Sequence, residues 1–283
     1  MAASAGYDPS DPMIPSRRSS TIAAPALVTG ASSGIGRAFA ERLAADGHDL
    51  IVVGRRRDRL DALAASLPGV DVQVIAVDLA SDEGIAEVVA TLAERPVSIL
   101  INNAGVAHYM PFSDLPPGKA REIVYVKTLA PTLLSRAALP GMLAAGAGTI
   151  VNVAGMLAFS GPTDAAQPQG QRAAYVASLA GTVAMSQVLG AELANTGVTV
   201  HAVCPGIVAT EFHEVQGMDL SVVLRMSAED VVTAALAGVA LGETVIAPGV
   251  EDAGLLETIF AADRAAFHGQ APTLATRYTQ GDV

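Results

Sequence analysis

Seven short apolar runs alternate with Ala- and Leu-rich stretches from Pro25 onward, and no other feature of the sequence restricts the fold as tightly. The strand candidates are Ala26–Thr29, Leu50–Val53, Val72–Val77, Ile99–Asn102, Gly148–Val153, Val198–Val203 and the weaker Glu243–Ala247. Helical patterning covers Gly36–Ala45, Arg57–Ser66, Asp82–Ala93, Lys119–Ala145, Arg172–Thr196 and Ala228–Leu241. The strand runs lack the in/out alternation of a sheet with one wet face, so both faces must be covered by helices, as in parallel sheets. Repeated β–α–β order then predicts an α/β protein: a single doubly wound domain with a central parallel sheet of about seven strands. That domain is expected over residues 23–283, after a flexible N-terminal tail over 1–22 that carries Pro9, Pro12 and Pro15.

Composition narrows the possible partners. Hydrophobic residues at 51% and charged residues at 16% exclude a disordered chain and fit a large buried core. Seventeen Lys and Arg against 28 Asp and Glu give a net charge of −11, which argues against nucleic acid and against an anionic membrane surface. Cys204 is the single cysteine, so neither an internal disulfide nor a thiolate metal cluster can form, and a reducing cytoplasm is the expected setting. No metal site is expected. Between Arg172 and Glu192 the chain carries no charge, almost the length of a membrane span, but Ser178, Thr182 and Ser186 suit a helix buried in protein.

The first strand leads into Thr29-Gly30-Ala31-Ser32-Ser33-Gly34-Ile35-Gly36 and then a helix. Glycines at a strand-to-helix turn permit a sharp reversal and let backbone N–H groups approach an anion at the helix N-terminus, the Rossmann-type arrangement for a dinucleotide. Arg55 stands 19 positions beyond Gly36, where an acid would bind a ribose 2′-hydroxyl and an Arg would accept a 2′-phosphate. A basic residue there favours NADP(H) over NAD(H). The run Arg55–Arg57 also places cations at a helix start, against the macrodipole, which a bound phosphate would relieve.

With Asp78-Leu79, Asn102-Asn103-Ala104-Gly105 and Pro205-Gly206 following later strands, the chain resembles the short-chain dehydrogenase/reductase family over roughly residues 25–250. The resemblance implies that Gly30, Ser32, Ile35 and Arg55, with Ser33, Gly34 and Gly36 of the same turn, hold the pyrophosphate and adenosine end. It implies that Asp78 and Leu79 meet the adenine and that Asn103, Ala104 and Gly105 flank the cofactor. Ile207 and Thr210, after Pro205-Gly206, would approach the carboxamide.

The family transfers hydride with an Asn, a Ser, and the Tyr and Lys of YxxxK. By resemblance the Tyr is Tyr175, but the Lys position holds Leu179, the Ser position Gly155 and the Asn position Lys127. The gap from Gly155 to Tyr175 is longer than the family's usual spacing, with Pro162, Pro168 and Gly170 marking an insertion. Without the Lys charge a Tyr of pKa ~10 is ionised about once in a thousand molecules at pH 7, and recovering that requires ~4 kcal/mol. A neutral Tyr remains an adequate proton donor for reduction and a poor base for oxidation. Lys127 therefore reads as a cation relocated within the pocket, or else as a solvent or interface residue. Ser160 is a substitute for the missing Ser or a plain turn residue. His108 and Tyr109 are alternative donors, His213 a lining residue, and His201 a structural one. Met156, Leu157 and Phe159 give an apolar pocket.

Three functions follow. The first is an NADP(H)-dependent oxidoreductase with an atypical site, reducing a carbonyl or activated double bond of an apolar small molecule, with Tyr175 and Lys127 as its catalytic residues. The second is a non-redox isomerase, cyclase or lyase on the same scaffold, and the third a catalytically silent NADP(H)-binding homologue. The apolar helices Lys119–Ala145 and Arg172–Thr196 predict a homodimer or homotetramer.

Overall fold

A computed structural model describes residues 24–161, 172–220 and 222–278. The expected tail over 1–22 and the insertion's Pro162, Pro168 and Gly170 lie outside the described residues. Seven strands form one parallel sheet: β1 (Ala26–Thr29), β2 (Leu50–Gly54), β3 (Val72–Ala76), β4 (Ile99–Asn102), β5 (Gly148–Val153), β6 (Val198–Val203) and β7 (Val245–Ile246). Their order is β3-β2-β1-β4-β5-β6-β7, so β1 pairs with both β2 and β4. The connections leaving β1 and β4 run in opposite directions there, which opens a crevice beyond the C-terminal ends of the two strands. The expected doubly wound α/β architecture is present.

Successive strand residues enter opposite cores, which is why the strands show no polar alternation. Val28, Val52 and Ile101 pack against Phe39 and Leu43 of α1 (Gly34–Ala45), Leu60 of α2 (Arg57–Ala65) and Val231 of α8 (Ala228–Leu241), which follows the one-turn α7 (Phe212–Val215). Leu27, Ile51 and Leu100 face Val88 of α3 (Asp82–Glu94) and Leu134 of α5 (Ala130–Ala145).

The helix expected over Lys119–Ala145 is divided. It runs as α4 (Pro117–Val124), a π-helical turn over Tyr125–Leu129, and then α5. Pro131 has no N–H, so the carbonyl of Lys127 lacks its usual donor four residues on. Thr182 Oγ1 of α6 (Ala173–Glu192) donates to that carbonyl instead, at 3.1 Å. A π turn of this kind re-aims one side chain, and here that side chain is Lys127.

By length and composition α6 is apolar enough to cross a membrane, yet its hydroxyls are spent inside the protein. Ser178, Thr182 and Ser186 recur every four residues on one buried face. Asn102 Nδ2 donates to Ser135 Oγ at 3.1 Å and to Asn152 Oδ1 at 2.8 Å, and Asn152 Nδ2 donates to Ser186 Oγ at 3.0 Å. Ser178 Oγ donates to the carbonyl of Tyr175 at 2.7 Å. This chain of bonds fixes α6 against β4, β5 and α5, and so fixes the start of the helix that carries Tyr175.

By compactness the chain divides between Pro248 and Gly249. The sheet belongs to the first unit. The second contains α9 (Gly254–His268), absent from the sequence expectation, whose first N–H is bonded by Asp252 Oδ1 at 3.0 Å.

Candidate active site

Thr29 ends β1 and ties it to β4: its Oγ1 accepts the N–H groups of Asn103 and Ala104 at 2.9 and 3.0 Å. Asn103 Nδ2 donates back to the carbonyl of Thr29 at 3.0 Å. The chain then reverses at Gly30, whose φ of +68° disfavours any side chain. At Gly36 a Cβ would lie 2.4 Å from both Gly30 O and Asn103 Nδ2, so glycine alone lets α1 begin this close to the turn. Ser33, at the N-cap of α1, makes no side-chain capping bond, which leaves first-turn N–H groups for an anion.

A cavity of about 830 Å³ extends from this turn across the ends of β4, β5 and β6, within the range of a ligand site. It is lined by Gly30, Ser32, Ser33, Gly34, Ile35, Arg55, Asp78, Leu79, Asn103, Ala104, Gly105, Pro205, Gly206, Ile207 and Thr210, and also by Lys127 and Tyr175. Of the residues expected at the cofactor, Gly36 is not among the lining ones and instead backs Gly30.

The basic run after β2 divides its tasks. Arg57 pairs with Asp61 one turn on, and Arg55 reaches Glu122 at 3.7 Å with most of its side chain exposed. Arg56, 20 positions beyond Gly36, is the one that binds the glycine turn: its Nη2 donates to Ser32 Oγ at 2.9 Å and Ser33 Oγ at 2.8 Å. Arg55, at the spacing expected of a 2′-phosphate ligand, lines the same cavity beside it.

Tyr175 is 8% exposed, and burial first, then the neighbouring Tyr109, push its phenol well above its ordinary range. The ring of Tyr109 meets it edge-on at 5.8 Å, and that of Phe212 lies at 6.4 Å. Tyr175 is therefore a proton donor at any physiological pH. Lys127 is 5% exposed and donates from Nζ to the carbonyl of Val153 at 2.8 Å, at the end of β5. Burial lowers its pKa to about 8, slightly opposed by Cys204. Among its cavity neighbours is Gly105, where an added Cβ would lie 3.6 Å from Nζ. The solvent-facing alternative for Lys127 is thus excluded.

Cys204 is held as a thiol, its pKa pushed up to about 12 by burial against the pull of the Gly155 N–H and Lys127, so it is no nucleophile. His108 is bound to Glu122 through Nε2 at 2.8 Å and does not line the cavity, whereas Tyr109 does. Ser160 Oγ donates to the carbonyl of Leu157 at 3.0 Å within its own turn. His201 is buried with Nδ1 on the carbonyl of Glu243 at 2.7 Å, a structural role. His213, Met156 and Leu157 line the cavity; Phe159 does not. No cluster of three or more metal-ligating side chains occurs among the described residues.

The family model for short chain dehydrogenase matches residues 24–220. The chain belongs to the short chain dehydrogenase family. It is 30% identical over 270 residues to the Bacillus subtilis protein named uncharacterized oxidoreductase YxjF, covering 90% of this chain and 97% of that one. The solved short-chain dehydrogenase from Sphingobium yanoikuyae in complex with NADPH superposes with a TM-score of 0.84 at 34% identity, over 90% of this chain and all of that one. A bulky-bulky ketone specific alcohol dehydrogenase from Comamonas testosteroni gives 0.80 at 31% identity, over 92% of this chain and 100% of its own.

Proposed function

We propose that this chain is an NADP(H)-dependent reductase of ketones or other activated carbonyls carried on apolar small molecules. The carrying observation is a single cavity with two chemically different ends. One end presents the glycine turn and the Arg56–Ser32–Ser33 donors, a fit for the phosphates of NADP(H). The other presents the Tyr175 phenol among Met156, Leu157, Ile207 and Phe212. NADPH, when bound, supplies the hydride that reaches the carbonyl carbon.

The residues of this chain do the rest. Tyr175 gives its phenolic proton to the carbonyl oxygen as charge develops there. Burial that keeps the phenol neutral beforehand favours reduction over alcohol oxidation. Lys127, with one N–H on Val153, has two more to offer into the cavity, and its charge in a low-dielectric site offsets the phenolate left after proton transfer. It takes up the cationic task that Leu179 cannot perform. The Comamonas relative, named as bulky-bulky ketone specific, supports a ketone with two large substituents as the substrate. Exposed Val124, Leu133, Leu143 and Val188 on α4, α5 and α6 complete the reading as a symmetric dimer or tetramer, working in the cytoplasm.

The test is NADPH consumption with a panel of bulky aryl and alkyl ketones, followed by loss of nicotinamide absorbance. Tyr175→Phe should lower turnover about 100-fold or more while NADPH still binds. Unchanged turnover in that variant would remove Tyr175 from the chemistry and turn attention to Tyr109.

A further inference from the structure

Glu211 occupies a position that its own charge makes unexpected. It lies in the segment after Pro205-Gly206, beside an Arg cluster that the sequence assigns to a cofactor phosphate. Arg56 Nη1 donates to Glu211 Oε1, and Arg59 Nη1 donates to Oε2 at 2.7 Å. The same Arg56 guanidinium holds both hydroxyls of the glycine turn through Nη2, and Nε reaches Ser32 Oγ at 3.2 Å. Three parts of the chain distant in sequence, the glycine turn, the start of α2 and the segment after β6, are thereby tied through one carboxylate.

The flanking residues extend that tie to both ends of the cavity. Immediately before Glu211, Thr210 lies over the turn, its Cγ2 only 2.9 Å from where a Cβ on Gly34 would be. Immediately after it, Phe212 stacks toward Tyr175, and His213 follows with Nδ1 buried and unpartnered. Burial raises the Glu211 pKa, but hydrogen bonds from Arg59, Arg56 and Ser33 outweigh it and bring it to about 2. The carboxylate is therefore an anion throughout the physiological range.

A carboxylate and a phosphate drawn to the same guanidinium compete for its donors, and the two anions repel each other. We propose that Glu211 is an internal stand-in for the cofactor's 2′-phosphate, holding the 207–220 segment over the cleft until NADPH displaces it. This rests on the reading that the cleft takes NADP(H). Displacement frees Phe212 from its place beside Tyr175, and His213 with it, so the ketone pocket takes its working shape only after the phosphate-bearing cofactor has arrived. Glu211 thereby couples the shape of the pocket to the phosphate: NADH, with no phosphate, binds without releasing it.

Calorimetric titration of the wild type and of Glu211→Gln with NADPH and NADH tests this, with hydrogen exchange measured on peptides spanning 207–220. Removal of the internal competitor should tighten NADPH about tenfold and leave NADH within about twofold. Exchange in 207–220 should rise in the wild type on adding NADPH but not NADH, and should already be high in Glu211→Gln alone. Glu214→Gln, which removes the same charge three residues away, should change neither affinity. Equal tightening in Glu214→Gln reduces the effect to long-range charge and overturns the proposal. Weaker NADH binding in Glu211→Gln would make Glu211 a ribose ligand and overturn it as well. NADPH binding with unaltered affinity and exchange in Glu211→Gln overturns the stand-in alone, whereas absence of NADPH binding in both proteins overturns the cofactor reading together with it.

Discussion

Replacing Lys127 by Met should stabilise the protein at neutral pH while removing its activity, and the sign should reverse in alkali. Lys127 is buried, and its pKa falls from 10.5 to about 8 on folding. At about 1.36 kcal/mol per pH unit, the folded state carries a penalty of about 3 kcal/mol for keeping this ammonium charged. Below pH 8 both folded and unfolded chains hold the proton, so the penalty is fully present. Between pH 8 and 10.5 the unfolded chain binds more protons than the folded one, so wild-type stability rises with pH; above 10.5 the penalty is gone. Met keeps the length and apolar stem but leaves the Val153 carbonyl without its Nζ donor, a loss of about 1–2 kcal/mol. Lys127→Met should therefore be more stable than wild type by about 1–2 kcal/mol at pH 7, and less stable by a similar amount near pH 10.5. Urea unfolding of both proteins at the two pH values, at one protein concentration, measures the double difference. A difference between variants that stays constant with pH would refute the assignment of a strained buried cation, whatever happens to turnover.

If that cation is required in the reaction, NADPH-dependent turnover of the wild type should fall as pH rises through about 8, seen as a single descending limb in kcat/KM; a profile flat through pH 8 would contradict the requirement. Gly36→Ala should abolish cofactor binding in a fluorescence titration, because its Cβ would sit 2.4 Å from Gly30 O; retained affinity would mean the turn relaxes freely. Ser186→Ala leaves Asn152 Nδ2 without its acceptor and should cost about 1–3 kcal/mol in thermal or urea unfolding, with Kd for NADPH unchanged. Sedimentation at micromolar concentration should give a dimer or tetramer, and Val188→Asp on the exposed side of α6 should shift it toward monomer; a wild-type monomer would contradict the assembly reading.

The sheet was legible because parallel strands covered on both faces must be apolar throughout, and the residues at the core of each expected strand form it. The cofactor turn was legible for a related reason: a strand, a glycine-spaced reversal and a helix leave few alternatives. What failed to show were features set by tertiary neighbours. The π turn at Tyr125–Leu129 depends on Pro131 withholding an N–H and Thr182 supplying a hydrogen bond from another helix, and no local period encodes that. Arg56 and Glu211 are separated by 155 positions, so neither the spacing of the glycines nor the basic run could reveal that they meet. The helix α9 lacks a strong start signal beyond Asp252.

Arg56 and Lys127, two cations that line the cavity, differ in what holds them, and under the proposed function that difference lets a depleted set of family residues act. Arg56 keeps its charge through partners: two hydroxyls and a carboxylate, with part of its side chain open to water. It is well placed to exchange one anion for another, because the charge is compensated before and after. Lys127 has no such compensation: among the described residues its Nζ is bonded to a single carbonyl. A buried cation left this way is costly in a resting protein and gains most from any negative charge that develops beside it. Under the proposed mechanism, stability lost at Lys127 is interaction held in reserve for an anionic state of the reaction, the phenolate of Tyr175 or the oxygen it protonates. A site rebuilt with Lys127→Asn, Gly155→Ser and Leu179→Lys would move the buried cation to another buried position rather than remove it. It has room for the Ser, since a Cβ at Gly155 would meet Leu179 at no less than 3.5 Å.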